Sequence, residues 1–426
     1  MNEKQNTIDR RNFLKTVGAA GLAFRFTGTT TGFALTGAVA GPDDSNDKEK
    51  TQKTKVPQVP RRKLGKTGVE VSCLCLGGDF SFIDKQIVLR KALESGVTYW
   101  DTAYNYGGGN AERGIGKFIS KNPEVRKKLF IVSKAAIFWG EITAEKVENR
   151  LQTSLKRMNT EYVDLYYAFH GLSNPAQLTD ELKQWAKSAK KRKLIRFFGF
   201  STHKNMAQCL AAAAKLDWID AVTTLYNFRV MQEPKMQTAI EACHKAGIGL
   251  TAMKALSRAV RRLQPVETEQ DKKLVGHFLK KGFTEEQAKI KVVLQDKRIS
   301  SACVGMNNIA LLNSNVAAAC DKTKLSQADI EVFKEYAQAT CCGYCAGCAY
   351  ICDSVLPDAP YVSDIMRYLM YYNSYGKQAE ARRLFAQIPT NVKNKLLSMD
   401  YSLAEARCPQ RLPIRELVAE AVGKLT

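Results

Sequence analysis

Acidic residues are few in this chain relative to basic ones. It has 42 Asp and Glu residues against 64 Lys and Arg residues, which gives a formal net charge of +22. Such a surplus is typical of some nucleic-acid-binding proteins, but the sequence has no arginine-and-aromatic RNA signature and no helix-turn-helix pattern. The basic residues are scattered, and the run at 187–193 lies on an amphipathic helical stretch of the kind that faces solvent. We therefore expect no nucleic-acid partner.

The sequence also lacks a long hydrophobic run. Its N-terminal apolar stretch, residues 16–24, is far shorter than the roughly 20 residues that a membrane-spanning helix needs. Arg10 and Arg11 precede this stretch, and a small-x-small pattern follows it at 38–41, which is the order of elements in a signal peptide. The arginine pair, followed by Phe13, Leu14 and Lys15, resembles the twin-arginine (Tat) export signal.

This resemblance implies an exported protein in the periplasm or cell envelope. We expect a Tat signal peptide over residues 1–40 and a linker over residues 41–60, which are polar, charged and marked by proline. Anchoring to the membrane by an uncleaved signal stays open. Export conflicts with a simple dehydrogenase, because nicotinamide cofactors are not freely supplied outside the cytoplasm.

Short apolar runs alternate with amphipathic segments after the linker. Helical spacing of apolar residues is clear over 144–158 and 205–215. Strand and helix repeated eight times predicts parallel strands with crossover helices, which close most naturally into a (β/α)8 TIM barrel. The fold class is therefore α/β, with the barrel over 61–320 and a small helical, ferredoxin-like iron–sulfur module over 321–426. The predicted strands are 73–76, 97–101, 130–133, 163–169, 197–200, 221–225, 248–253 and 302–304.

Polar side chains stand where three neighbouring predicted strands end. Asp101 ends the second strand with Tyr106 just beyond it, Lys134 follows the third strand, and His170 follows the fourth. Each has an ordinary explanation alone, such as helix capping for the Asp or packing for the Tyr. The active site of a TIM barrel lies at the carboxyl ends of its strands, so this grouping predicts a catalytic set.

The run from Asp101 to Gly107, continued by Glu112 and Gly116, resembles the aldo/keto reductase signature. Segments 196–201, 226–227, 252–254 and 304–306 are similar to later strands of that family. The resemblance implies hydride transfer between NADP(H), or NAD(H), and a small carbonyl or alcohol substrate.

The same resemblance assigns roles to individual residues. Tyr106 would be the general acid/base, Lys134 would lower its pKa, Asp101 would orient Lys134, and His170 would orient the substrate carbonyl. The cofactor-binding residues that it implies are Ser201, Met253, Lys254, Gly305, Asn307 and Asn315.

The chain departs from the family pattern at several positions. His170 comes one residue later than expected after Asp164, which reverses its side-chain direction unless a bulge absorbs the extra residue. Thr202 stands where many relatives have Asn, and Thr223 replaces a Gln that commonly contacts the nicotinamide amide. No arginine is present at 305–308 to hold a 2′-phosphate, and a Glu expected near Asn313 is missing. A second interpretation is therefore an exported electron-transfer or binding protein whose nicotinamide site has decayed.

Five of the twelve cysteines are crowded between residues 341 and 352. Close spacing of this kind indicates metal ligation, and Cys342, Cys345, Cys348 and Cys352 resemble a bacterial ferredoxin run, whose fourth cysteine ligates a different cluster. That logic predicts one [4Fe–4S] cluster on Cys342, Cys345, Cys348 and Cys408, with Cys352 as the alternative to Cys408. A zinc site and an empty or disulfide-bonded remnant stay open. A cluster would suit exchange of electrons with a redox partner protein. The dispersed cysteines, expected to be small buried hydrophobes, are Cys73, Cys75, Cys209, Cys243, Cys303 and Cys320.

Overall fold

The computed structural model describes residues 56–137, 141–258, 260, 269–357 and 361–426. The predicted signal peptide and residues 41–55 of the predicted linker lie outside the described residues. The last linker residues are packed on the barrel: Val59 is buried and its amide donates to the Ser95 carbonyl at 3.0 Å. In the described part of the chain, no helix has the length and apolar character needed to cross a bilayer.

Eight parallel strands form a closed barrel in which each is hydrogen-bonded to its neighbours along the chain, and the last pairs with the first. A short antiparallel hairpin, β1 (Arg61–Lys63) and β2 (Glu70–Ser72), precedes it. Each of the eight predicted strands overlaps one barrel strand, so the predicted barrel is confirmed. The barrel strands are β3 (Leu74–Gly77), β4 (Tyr99–Asp101), β5 (Phe130–Lys134), β6 (Val163–Phe169), β7 (Ile195–Thr202), β8 (Ala221–Leu225), β9 (Gly249–Met253) and β10 (Ser301–Gly305).

Helices surround the barrel because each has one apolar stripe to bury. Helix α3 shows the pattern: Thr143 caps its first turn by accepting from the Lys146 amide, and Val147, Leu151 and Leu155 face the core. The outer helices are α1 (Gln86–Glu94), α2 (Asn110–Lys121), α3 (Ala144–Met158), α4 (Asp180–Lys191), α5 (Met206–Ala213), α6 (Pro234–Lys245), α7 (Glu269–Lys280), α8 (Glu285–Gln295), α9 (Ile309–Cys320) and α10 (Gln327–Ala339).

Helix α10 packs with the barrel although it follows the predicted boundary at residue 320. Phe333 on this helix stacks on Phe278 of α7, with ring centroids 4.8 Å apart, and belongs to the barrel's apolar core. The chain beyond it has a separate apolar core, and we call residues 341–426 the C-terminal module. Its helices are α11 (Ala349–Cys352), α12 (Val362–Ser374), α13 (Gln378–Ala386), α14 (Thr390–Lys393), α15 (Ser402–Arg407) and α16 (Ile414–Leu425).

The C-terminal module lies across the end of the barrel where the strands carry their carboxyl termini. The amide of Asn227, just after β8, donates to the Tyr344 hydroxyl at 3.0 Å. Gly347 sits so close to the loop after β7 that a Cβ there would lie 2.4 Å from the His203 carbonyl oxygen, and its φ of +76° also requires glycine. The module therefore forms the second wall of any site at this end of the barrel.

Candidate active site

The four residues of the predicted catalytic set meet at one end of the barrel. Asp101 ends β4, Lys134 ends β5 and His170 follows β6, and these strands are direct neighbours. Tyr106 begins the short 3-10 helix that follows β4. Its hydroxyl oxygen lies 3.0 Å from Nε2 of His170. The spatial grouping expected from the sequence is therefore present.

The extra residue before His170 is absorbed by an irregularity in β6. The pairing of β6 with β7 shifts between Tyr167 and Phe169, which leaves Ala168 without a partner in the ladder. Ala168 and Phe169 both pack in the outer core, whereas Tyr167 lies in the inner cluster. Two successive residues thus share one face, and the direction of His170 is restored toward Tyr106.

Lys134 is held beneath the Tyr106 ring by Asp101. Its ammonium donates to Asp101 Oδ1 at 2.6 Å and to the Thr102 carbonyl at 2.8 Å. The same nitrogen lies 4.8 Å from the centroid of the Tyr106 ring. Both members of the ion pair are almost fully buried, with 3% of the Lys134 side chain and 8% of the Asp101 side chain exposed. Such a pair fixes the position of a charge rather than adding much stability.

The pKa of Tyr106 differs from the sequence-based expectation. Lys134 was expected to lower it, yet burial raises the pKa of this phenol well above 10, and the nearby Asp79 and Asp101 carboxylates raise it further. Asp101 neutralises the Lys134 charge, which explains why the ammonium does not dominate. The phenol is therefore protonated near neutral pH and is suited to giving a proton.

His170 is a neutral imidazole in this setting. Burial lowers its pKa well below 6.5, and the positive charges of Lys134, Arg367 and Lys254 lower it further. A neutral ring presents one donor and one acceptor nitrogen. It can therefore exchange a hydrogen bond with Tyr106 or with a carbonyl oxygen without carrying charge.

A buried polar network fixes the loop that carries Tyr106. Glu112, fully buried in α2, accepts from the Ser133 hydroxyl at 2.7 Å and from Arg157 at 3.1 Å. Arg157 also donates to the Tyr104 carbonyl at 2.7 Å. Glu112 thus positions the loop that carries Tyr106, acting through Arg157.

The predicted cofactor residues lie on neighbouring strand ends. Met253 ends β9 and Lys254 follows it, while Gly305 ends β10 and Asn307 is exposed just before α9. Asn315 is buried, with 5% of its surface exposed. Neighbouring strands β9 and β10 therefore present one continuous edge along which an extended ligand could lie.

The hydroxyl groups expected near a nicotinamide amide are already bonded within the chain. Ser201 donates to the His170 carbonyl at 2.8 Å, and Thr202 donates to the Leu172 carbonyl at 2.7 Å. The Thr223 hydroxyl lies 3.0 Å from that of Tyr167. These three hydroxyl groups are therefore engaged within the chain and are not directed at a ligand.

The cysteine set differs from the predicted ligands. One cavity of about 330 Å³ is lined by Cys345, Cys348, Cys352 and Cys408. Cys342, in the 3-10 turn Cys341–Gly343, is exposed and does not line this cavity. Among the residues that the structure describes, no three Cys, His, Asp or Glu side chains are close enough to form a metal site as they stand.

Two further residues at the barrel mouth were not found from the sequence. His203 follows β7, and Arg367 reaches the same space from α12 of the C-terminal module. The chain has only four histidines, and His203 comes directly after a predicted strand end, so its position was a usable signal. Arg367 gave no such signal, because nothing in the sequence indicates which helix covers the barrel.

Comparisons with known proteins agree with this geometry. The sequence model of the aldo/keto reductase family matches residues 76–338, more than half of the chain. An aldo-keto reductase of Gibberella moniliformis is 34% identical over 175 residues, which is 40% of this chain and 51% of that protein. The match therefore spans about half the length of this curated relative.

Solved structures give the same fold. A thermostable aldo-keto reductase in complex with the inhibitor epalrestat has a TM-score of 0.54 and 27% identity, covering 65% of this chain and 100% of the other. The holo form of an aldo-keto reductase from Bacillus halodurans has a TM-score of 0.54 at 19% identity, covering 66% and 96%, and at that identity it shows the fold alone. The chain belongs to the aldo/keto reductase family, a family of NAD(P)-dependent oxidoreductases.

Proposed function

We propose that this protein reduces the carbonyl group of a small molecule with NADPH or NADH, and that Tyr106 is the proton donor. One observation carries the proposal: the Tyr106 hydroxyl lies 3.0 Å from His170 while its ring lies over Lys134. A phenol, an imidazole and a fixed ammonium at one barrel mouth form a site that can bind and protonate a carbonyl oxygen.

The residues divide the work as follows. The substrate carbonyl oxygen accepts hydrogen bonds from Tyr106 and from His170 in its neutral form. Lys134 places positive charge under the ring, and Asp101 keeps that charge in position. A nicotinamide cofactor, when bound, would supply the hydride. As negative charge develops on the carbonyl oxygen, the Tyr106 hydroxyl transfers its proton there. Tyr106 is protonated near neutral pH, and its raised pKa extends that form to higher pH, so the residue is in the form that gives a proton during carbonyl reduction.

Tyr106→Phe tests this role. The variant keeps the ring over Lys134 but removes the proton, and we expect kcat for carbonyl reduction to fall by roughly 10²–10⁴-fold. Tyr104→Phe is the matched control, because Tyr104 lies two residues earlier and its ring contacts Arg150 and Arg157 through its face. Equal activity of the two variants would remove Tyr106 from the reaction.

The cofactor site is proposed along the ends of β9 and β10. Met253 and Lys254 would contact the nicotinamide half, and Gly305, Asn307 and Asn315 would hold the adenine half, with the N-terminus of α9 near a phosphate. The absence of an arginine at 305–308 makes discrimination between NADPH and NADH weak in this proposal. Fluorescence titration with both reduced cofactors measures it directly.

A second candidate function is a binding or electron-transfer protein on the same barrel. The internal hydrogen bonds of Ser201, Thr202 and Thr223 favour it, since those hydroxyls are not directed at a ligand. The titration separates the two functions. Saturable nicotinamide binding supports the reductase, and no binding at millimolar cofactor supports the second candidate.

We also propose that the C-terminal module binds a [4Fe–4S] cluster. The support is chemical: four cysteines line one cavity whose remaining walls include Ile351, Val362, Leu412 and Ile414, and thiolates in an apolar pocket are the usual ligands of such clusters. A bound cluster would supply one-electron chemistry and would tie the Cys345–Cys352 segment to the segment around Cys408. The thiols must draw closer together on binding.

The choice of ligands is testable by comparing two cysteines. The cavity predicts that Cys352→Ser loses iron while Cys342→Ser retains it, whereas the sequence spacing predicts the reverse. Iron and sulfide content and visible absorbance after anaerobic purification give the result. Cys243→Ser, in the barrel core, is the control. Full iron content in both variants would point to a different ligand set, and zinc in place of iron would overturn the cluster itself.

Export through the Tat pathway, with or without retention of the signal as an anchor, completes the proposal. It follows from the order of Arg10, Arg11 and the small-x-small segment alone. An exported enzyme would need a redox partner or a cofactor that stays bound. Cell fractionation of wild type and of a variant with both arginines changed to lysine tests export, which should be lost in the variant.

A further inference from the structure

A cavity lies between the barrel mouth and the C-terminal module, and its lining is strongly unbalanced in charge. The space among its lining side chains is about 390 Å³, a volume that includes open solvent. Three cationic side chains line it: Lys254 and Arg258 from the loop after β9, and Arg367 from α12. None of the described residues that line it is acidic.

The cavity adjoins the catalytic set. His203 lines it, and its ring lies against Gly171, where a Cβ would be 2.7 Å from the imidazole Cε1. Gly171 directly follows His170. Lys254 follows β9, two strands from β7 around the barrel. A molecule in this cavity would therefore have one end near the catalytic carbonyl position.

The nearby carboxylates are already matched by other cations. Asp364 accepts from both Lys204 and Arg367, each at 2.8 Å, and Asp353 lies 3.4 Å from Lys204. Asp79 is paired with Lys377. Two carboxylates thus balance Lys204 and Arg367, and two, Asp79 and Glu380, face Lys377.

Lys254 and Arg258 are the two cations of the cavity lining that these carboxylates do not pair with. In the part of the chain that the structure describes, no carboxylate lies within salt-bridge distance of Lys254 or Arg258, whose nearest aromatic neighbours are the rings of Tyr371 and Tyr375, 5.2 and 5.7 Å away. Arg258 is exposed and keeps its water, but burial lowers the pKa of Lys254 to about 7, because a charge held away from water without a counter-ion is unfavourable. An anionic group in the cavity would relieve this.

The backbone conformation of the loop after β9 also favours a ligand site in this cavity. Lys254 and Ser257 both adopt left-handed conformations, with φ of +57° and +50°, which non-glycine residues rarely adopt. Strain of this kind concentrates where a loop must present particular groups to a ligand. Both residues line the cavity.

We infer that the natural substrates carry a carboxylate in addition to the reducible carbonyl, and that Arg258 and Arg367 hold the carboxylate. This inference rests on the proposed reductase function. Arg367 lies beyond residues 76–338, the family match, so the barrel supplies the chemistry and the C-terminal module supplies part of the specificity. A planar guanidinium with five N–H donors is suited to a carboxylate even when Asp364 uses one of them.

Two aldehydes of nearly equal shape test the inference: 4-carboxybenzaldehyde, an anion, and 4-formylbenzamide, which is neutral. With full-length protein and saturating NADPH, the wild type should show at least about a tenfold higher kcat/KM for the anion, the effect of one charge-assisted hydrogen bond. The difference should lie in KM, because the carboxylate contact is present before and during reaction. Arg367→Met should bring the ratio of the two kcat/KM values close to one.

Arg383→Met is the matched control, because Arg383 is an exposed arginine on α13 of the same module, and it should keep the wild-type ratio. If Arg367→Met does not fold, Arg258→Met, at the exposed rim of the cavity, should still lower the ratio. Turnover of both aldehydes with equal kcat/KM in the wild type would overturn the inference and leave the reductase function intact.

Binding without turnover separates the remaining cases. Calorimetric titration of Tyr106→Phe with 4-carboxybenzoate, which has no reducible carbonyl, should show binding that Arg258→Met weakens. If 4-carboxybenzoate binds but the wild type reduces no aldehyde, the result supports the anion site and contradicts the proposed reductase function. If 4-carboxybenzoate competes with NADPH, the cations belong to the cofactor's phosphates and the inference is overturned.

Discussion

Removing one member of the buried Lys134–Asp101 pair should destabilise the protein far more than its single contact suggests. The two charges are 2.6 Å apart, with 3% and 8% of their side chains exposed. Asp101→Asn removes the negative charge and leaves the ammonium with neutral acceptors such as the Thr102 carbonyl. Breaking a buried ion pair in this way costs about 3–5 kcal/mol of the free energy of unfolding, because the remaining charge is unpaired.

The double variant Asp101→Asn/Lys134→Met separates pairing from burial. With both charges gone, no unpaired ion remains, and most of the lost stability should return. Activity should not return, because Tyr106 then lacks the charge beneath its ring. Urea denaturation at pH 7 gives the stabilities, and carbonyl reduction gives the activity.

An exposed pair of the same length provides the control. Lys91 and Glu94 are also 2.6 Å apart, but 46% and 39% of their side chains are exposed. Lys91→Met should cost less than about 1 kcal/mol, since water screens such pairs. If Asp101→Asn cost no more than Lys91→Met, the Lys134 site would be well solvated and the argument from burial would be refuted.

Three further predictions follow from burial and backbone geometry. Burial lowers the pKa of His203 well below its usual 6.5. Below pH 6.5 the unfolded chain therefore binds more protons than the folded one, and stability falls as pH drops. His203→Asn should reduce the slope of the free energy of unfolding against pH by about 1.4 kcal/mol per pH unit, measured by urea denaturation at pH 7 and pH 5. Gly199→Ala should prevent folding, because its Cβ would lie 1.8 Å from the Ala221 carbonyl oxygen of the next strand. In contrast, Gly276 has open space around it on α7, and Gly276→Ala should raise the free energy of unfolding by about 0.5–1 kcal/mol. Deletion of Ala168 should preserve reductase activity, because the deletion removes one of two successive outward residues and leaves His170 directed inward. Insertion of a second Ala at this position should abolish reductase activity.

The controls for these predictions are simple. His244→Asn, on the exposed end of α6, should leave the pH slope unchanged. A soluble, folded Gly199→Ala protein would show that β7 and β8 are farther apart than described. Loss of activity on deleting Ala168 would mean that the irregularity itself, and not the direction of His170, is needed.

The barrel was predictable because its signal is local and repeated. Each strand is a short apolar run because it is buried on both faces, and each helix has a 3.6-residue apolar spacing. The positions of Asp101, Lys134 and His170 followed from topology, since parallel strands place their carboxyl ends together. The spacing before His170 even predicted a bulge as the condition for this grouping, and the shift between Tyr167 and Phe169 meets that condition.

The properties of the site were less predictable because they depend on what covers it. The pKa of Tyr106 is set by burial beneath other side chains, and no local pattern reports how much water reaches a phenol. The cysteine spacing indicated a metal module, but the cavity is lined by Cys345, Cys348, Cys352 and Cys408, and the last of these lies 56 residues after Cys352. Contacts between segments so distant in sequence leave no periodic signal.

The C-terminal module links the two halves of the proposed chemistry in space. Cys345 lines both the cysteine cavity and the cationic cavity at the barrel mouth. Two residues later, Gly347 accepts a hydrogen bond from the Asn205 amide at 2.9 Å, next to His203. A change that draws the thiols of this segment together must therefore shift a wall of the substrate cavity as well. If the cysteine cavity is occupied as proposed, we expect the affinity for an anionic substrate to change with it, so cluster content should be measured in every sample whose kcat/KM ratio is compared.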